Sequence, residues 1–213
     1  MVTQNPCARG ESPGDPQPAI ERARPVEEVG NNGLAVAYVL AEFNVPSHLE
    51  WHEVPVLRLA GIVENILGIE APIHTEELIT RVRQLWGLGR AGGRIREAVQ
   101  QAIRHLLAGS RATTQGDIVT LGHTEVKIRD RSHLPVAAGP RKPEYLPPAE
   151  LDLAICKVIE VNHGVSPDEL PGAVCRLLGF SALGTGLRGV IDCRIAALKR
   201  NRTIVLDNGF FRA

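Results

Sequence analysis

The stretch Trp86-Gly-Leu-Gly-Arg-Ala-Gly-Gly-Arg-Ile-Arg-Glu-Ala-Val-Gln-Gln-Ala-Ile103 contains Gly87, Gly89 and Gly92 in the spacing G-x-G-x-x-G. That spacing is the fingerprint of a dinucleotide site when a strand precedes it and a helix follows. Here the preceding segment, Glu76–Trp86, is helical by period: Leu78, Val82 and Leu85 form one stripe behind the acids Glu76 and Glu77, which suit the positive end of a helix. The glycines therefore close one helix and admit the next, with left-handed backbone at the first and a tight entry at the last.

An internal repeat supplies a second reason. Shifted by 92 residues, Leu59–Leu106 matches Leu151–Leu198 without a gap. Identical pairs include Leu59/Leu151, Glu77/Glu169, Leu78/Leu170, Val82/Val174, Gly87/Gly179, Gly92/Gly184, Arg96/Arg188 and Leu106/Leu198. The outer glycines recur, whereas Gly89 becomes Ser181. A phosphate-cradling loop needs the middle glycine, but a helix-to-helix turn does not. The later loop also lacks the lysine of a P-loop after Gly184.

Each repeat reads as three helices and a short β-hairpin. In the first copy the helices cover about Val56–Leu67, a segment opening at Thr75, and Gly92–Leu107, and the hairpin strands are expected at Asp117–Leu121 and Glu125–Ile128. In the second, a helix over Ala149–Val161 and a start at Ser166-Pro167-Asp168-Glu169 lead to strands at Thr203–Leu206 and Phe210–Phe211. Asp207-Asn208-Gly209 signals the hairpin turn. Three helices followed by a hairpin is the winged-helix plan. The expected fold class is mainly α with small β-hairpins, as two tandem winged-helix units. The expected domains are a flexible, acidic, Pro-rich lead-in over 1–49, units over 50–133 and 149–213, and a linker over 134–148.

The chain of 213 residues has a formal net charge of zero, which hides an asymmetry. Residues 1–72 hold four arginines and ten acids, which leaves 20 basic and 14 acidic residues beyond them. The split suggests a basic surface carried by the part of the chain after residue 72. On a wheel of the helix over 92–107, Ile95, Val99, Ala102, Ile103 and Leu106 share the core side. Arg94, Gln100, Gln101 and Arg104 lie opposite with Glu97, and Arg90 just precedes the helix. Arg and Gln reach guanine and adenine edges, and Arg also grips phosphate. Lys127, Arg129 and Arg131, with Arg111 leading in, are expected to add phosphate contacts from the wing. The matching face of the second copy is Gly189, Asp192, Cys193, Ala196 and Arg200, small and nearly neutral, as a protein-docking face would be.

No catalytic constellation emerges: there is no Ser/His/Asp arrangement and no distinctive carboxylate pair. Four cysteines without a C-x-x-C pair, and His74 and His123 without partners at zinc spacing, yield no metal site. No cofactor is expected, and the protein is read as not an enzyme. No apolar run approaches the ~20 residues of a membrane span, and no secretory signal is visible at the N-terminus, so a reducing cytoplasm is expected.

The runs Ile69–Ile103, Val126–Ser132, Leu146–Glu160 and Glu169–Phe180 closely resemble an uncharacterised domain that closes large bacterial superfamily-one helicase-like proteins, after a helicase core and a restriction-endonuclease-like nuclease. The resemblance covers about Glu50 onward. Arg90, Gly92, Arg94 and Ile95 carry over from the family's turn, whereas Ala182 stands where its second copy usually has an arginine. It implies a DNA-processing or phage-defence setting, with double-stranded DNA and a helicase or nuclease protein or domain as partners. The helicase and nuclease motifs are absent, so it implies no catalysis by this chain. Two roles are expected to compete: a DNA-binding accessory module, or a docking module without nucleic-acid contact.

Overall fold

A computed structural model describes residues 33–42, 54–89, 92–122 and 124–212. The chain is mixed α and β, mainly helical. The first unit comprises helix α1 (Val56–Glu70), a two-residue strand (Ile73–His74), helices α2 (Thr75–Leu85) and α3 (Gly93–Ala108), and a hairpin of Ala112–Gln115 with Ile118–Leu121. In its three-stranded sheet the second hairpin strand is central, antiparallel to both the first hairpin strand and Ile73–His74. The second unit repeats the order with α4 (Pro148–Val161), α5 (Leu170–Leu177), α6 (Thr185–Arg200) and the hairpin of Val205–Asp207 with Phe210–Arg212.

The 92-residue shift governs three dimensions as it governs the sequence. Helices α3 and α6 coincide under it from first residue to last, and the pairing of Ile73 with Val119 returns as that of Val165 with Phe211. The two apolar cores also match. Leu59, Val63, Ile66, Leu78, Val82, Ile95, Val99, Ile103 and Leu106 fill the first. Leu151, Ile155, Val158, Leu170, Val174, Leu187, Ile191, Ile195 and Leu198 fill the second at the shifted positions. Both cores rest on aliphatic side chains, each contributing roughly 1.5–3 kcal/mol on full burial.

Helix α2 opens at Thr75, and its N-cap is His74. His74 Nδ1 accepts from the Glu76 N–H, while the Thr75 hydroxyl donates to the Asp117 carbonyl across the hairpin.

Three expectations about chain organisation change. The first hairpin lies at Ala112–Gln115 and Ile118–Leu121, turned by Gly116-Asp117, and 124–128 forms no strand. Gly116, at φ +59°, supplies the backbone that the tight turn needs. Within the composition-defined lead-in, Val36–Ala37 forms a strand parallel to Arg129–Asp130. The expected linker packs closely: it contains 3-10 turns at Gly139–Arg141 and Pro143–Tyr145, and buries Leu134, Pro140 and Leu146.

Candidate nucleic-acid interface

Helix α3 owes its outward face to its sequence period. Its core stripe is buried, which turns Arg94, Glu97, Gln100, Gln101 and Arg104 to solvent. The side chains of Arg94, Gln100, Gln101 and Arg104 make no hydrogen bond or ion pair among the described residues. Arg94 and Arg104, ten residues apart, sit about 15 Å apart along the axis. Arg96, between the two faces, is tied to Glu76 on α2, and that contact holds the Glu76 carboxyl below its ordinary range.

The other basic residues expected at the interface divide. Lys127 is exposed. Arg111 is engaged in a two-pronged contact with Glu64 of α1. Arg90 lies outside the described residues. Arg129 is not a surface residue, contrary to the expectation of a phosphate contact: it is 7% exposed, and Arg131 only 1%. The Arg129 guanidinium donates to the carbonyls of Glu70 (2.6 Å) and Pro72 (2.8 Å) and to Glu150 Oε2 (2.6 Å). Arg131 donates to both Glu150 oxygens, at 2.7 and 2.8 Å, and to the Pro140 carbonyl at 2.9 Å. Burial pushes the Glu150 carboxyl up, but the two arginines outweigh it and hold the group below its ordinary value.

A second buried set adjoins the first. Glu70 accepts from Arg81 Nε, the Tyr38 hydroxyl and the Ala41 N–H. Glu77 Oε1 lies 2.7 Å from Arg81 Nη2 but off the N–H direction, so it takes no hydrogen bond, and burial raises the Glu77 carboxyl. The alternation Lys-Ile-Arg-Asp-Arg reads as a solvated strand, which is why these arginines were legible only as surface. One signal pointed inward: Glu150 stands in the first turn of α4 where the first copy has Arg58, a charge reversal inside an otherwise matched repeat.

The hairpin beside α3 carries no Lys or Arg from Ala112 to Leu121, and its tip is Gly116-Asp117. On α6 the outward residues Gly189, Asp192, Cys193, Ala196 and Arg200 are exposed as expected, and Asp192 is 3.5 Å from Arg188. Among the described residues no group of three or more His, Cys, Asp or Glu is placed to hold a metal ion. No helix among them is long and apolar enough to cross a membrane.

The fold and its faces thus define a duplicated, mainly helical pair of units. Residues 50–97, spanning α1, α2 and the opening of α3, match a family described as "Protein of unknown function (DUF3320)". No curated protein and no solved structure matches the chain.

Proposed function

We propose that the chain is a non-catalytic DNA-binding accessory module of a helicase- or nuclease-type system, acting in the cytoplasm, with each repeat a winged-helix unit and α3 as the reading helix. The order helix, strand, helix, helix, hairpin, with the central strand closing the sheet, supports the winged-helix reading. The observation that carries the function is the unpartnered Arg94, Gln100, Gln101 and Arg104 face of α3. Its two arginines are separated by a span comparable to the ~12 Å width of the B-form major groove, so they can reach opposite backbones while the glutamines meet base edges.

The test is fluorescence anisotropy with duplex and single-stranded probes across a salt series. Wild type is expected to prefer duplex, and the Arg94→Ala/Arg104→Ala double variant to lose most of the affinity. Equal binding by the double variant, or none by wild type at low salt, would remove this reading.

A second reading has its own support. The cation-free hairpin and the small, neutral face of α6 suit a module that docks a helicase or nuclease protein without touching DNA.

A further inference from the structure

Residues 33–42 form a strap that passes from one core to the other. Leu34 and Ala35 pack against the core of the second unit, and Ala41 belongs to the core of the first. Between them the Val36 and Tyr38 N–H groups donate to the carbonyls of Ile128 and Asp130, both at 2.9 Å. The Tyr38 ring faces both buried guanidiniums, 4.8 Å from Arg129 and 5.2 Å from Arg131, and its hydroxyl donates to Glu70 at 2.9 Å. Below the strap, Arg129 joins the end of α1 to Glu150 on α4, and the Arg131 N–H donates to the Leu178 carbonyl at the end of α5.

The second unit is shaped for this contact. A Cβ on Gly179 would lie 1.9 Å from Asp130 Oδ1, 2.5 Å from the Ser132 nitrogen and 2.6 Å from the Arg131 nitrogen. At the repeat-equivalent Gly87 a Cβ would meet open space.

We infer that the strap, Arg129, Arg131 and Glu150 form a clasp that fuses the two units into one mechanical body, so that a partner gripped by α3 is held at a set angle to α6. The clasp opens as a whole. Removing Glu150 strands two buried cations, and removing the strap uncovers them to water, so no member loosens alone. Exposed pairs such as Arg188 with Asp192 have no such coupling.

Hydrogen exchange and calorimetry on the full chain test this. In wild type the amides of Val36, Tyr38, Arg129 and Arg131 are expected to exchange at one common opening rate, with a single thermal transition. Glu150→Gln keeps the volume and removes the charge. It should accelerate all four amides together by roughly tenfold to a hundredfold, the scale of a lost hydrogen bond to a charged group, and split the transition in two. Tyr38→Phe keeps the ring and loses the bond to Glu70. It should accelerate the same four amides while leaving those of Val99 and Ile191 unchanged, and it carries the same readout if Glu150→Gln fails to fold. Two transitions in wild type, strap amides exchanging independently of Arg131, or four unaltered amides in both variants would overturn the clasp. None of these readouts involves DNA, so its failure is separate from that of the proposed function.

Discussion

Removing the guanidinium of Arg129 leaves Glu150 short of one partner and the carbonyls of Glu70 and Pro72 without a donor, all in the interior. Breaking a buried ion pair from one side costs about 3–5 kcal/mol, so Arg129→Ala is expected to lower the denaturant midpoint sharply. Arg94→Ala and Arg104→Ala, on the open face, should stay within about 0.5 kcal/mol in the same experiment. If α3 binds DNA as proposed, their effect belongs to binding: for every phosphate no longer neutralised, the slope of log affinity against log salt should flatten by about 0.9. Acid acts on the buried set with a definite sign. The Glu150 carboxyl is held below its unfolded value of about 4.3, so its contribution is complete above that pH and disappears as pH falls through the folded value. Glu77 is raised, so its contribution is complete below the unfolded value and is lost as pH rises through the folded one. At pH 7, Glu77→Gln should therefore preserve or increase stability and Glu150→Gln should reduce it, as urea melts from pH 7 to pH 3 would record. The outward face of α3 was legible because one helix's period decides it. The inward turn of Arg129 was not, because its partners lie in α1 and α4, 59 and 21 residues away along the chain.

Turns and hairpins obey shorter-range rules, and the two copies show where those rules suffice. Gly87 and Gly179 both close a helix with positive φ, at +64° and +79°, as the recurrence of glycine at a helix end implies. Their surroundings differ. Gly87→Ala meets only the backbone strain of a left-handed non-glycine residue, on the order of 1–3 kcal/mol. Gly179→Ala adds a collision with the backbone of 131–132 and should destabilise clearly more in parallel thermal melts; equal losses would mean that 130–132 can withdraw at no expense. The first hairpin lies away from its expected place for a physical reason. Ala112–Gln115 is polar except at its first residue, with the burial expected of an edge strand, so it lacks the apolar alternation that marks a half-buried strand. The repeat itself held the answer, since moving Phe210–Phe211 back by 92 lands on Ile118–Val119 inside the true second strand.

Across the whole molecule, the 92-residue register has a practical meaning: the units share a core register but not a surface chemistry. Positions 94, 100, 101 and 104 of α3 correspond to Gly186, Asp192, Cys193 and Ala196 of α6, all exposed, so writing Arg, Gln, Gln and Arg there asks little of the second core. At Gly186 a new Cβ meets only Pro143, at an ordinary 3.7 Å. On the proposed DNA-binding reading, such a transplant would turn a univalent reader into a bivalent one whose arms have a preset spacing, and the second engagement would then be intramolecular. If α3 reads duplex DNA, the grafted chain should bind long duplexes far more tightly than wild type, with a dependence on helical phase that a flexible tether would blur. Short duplexes, which admit only one arm, should show little gain. The duplication thus doubles as a built-in protractor: the helical phase that binds best would report, from solution, the angle at which the two halves of the molecule are set.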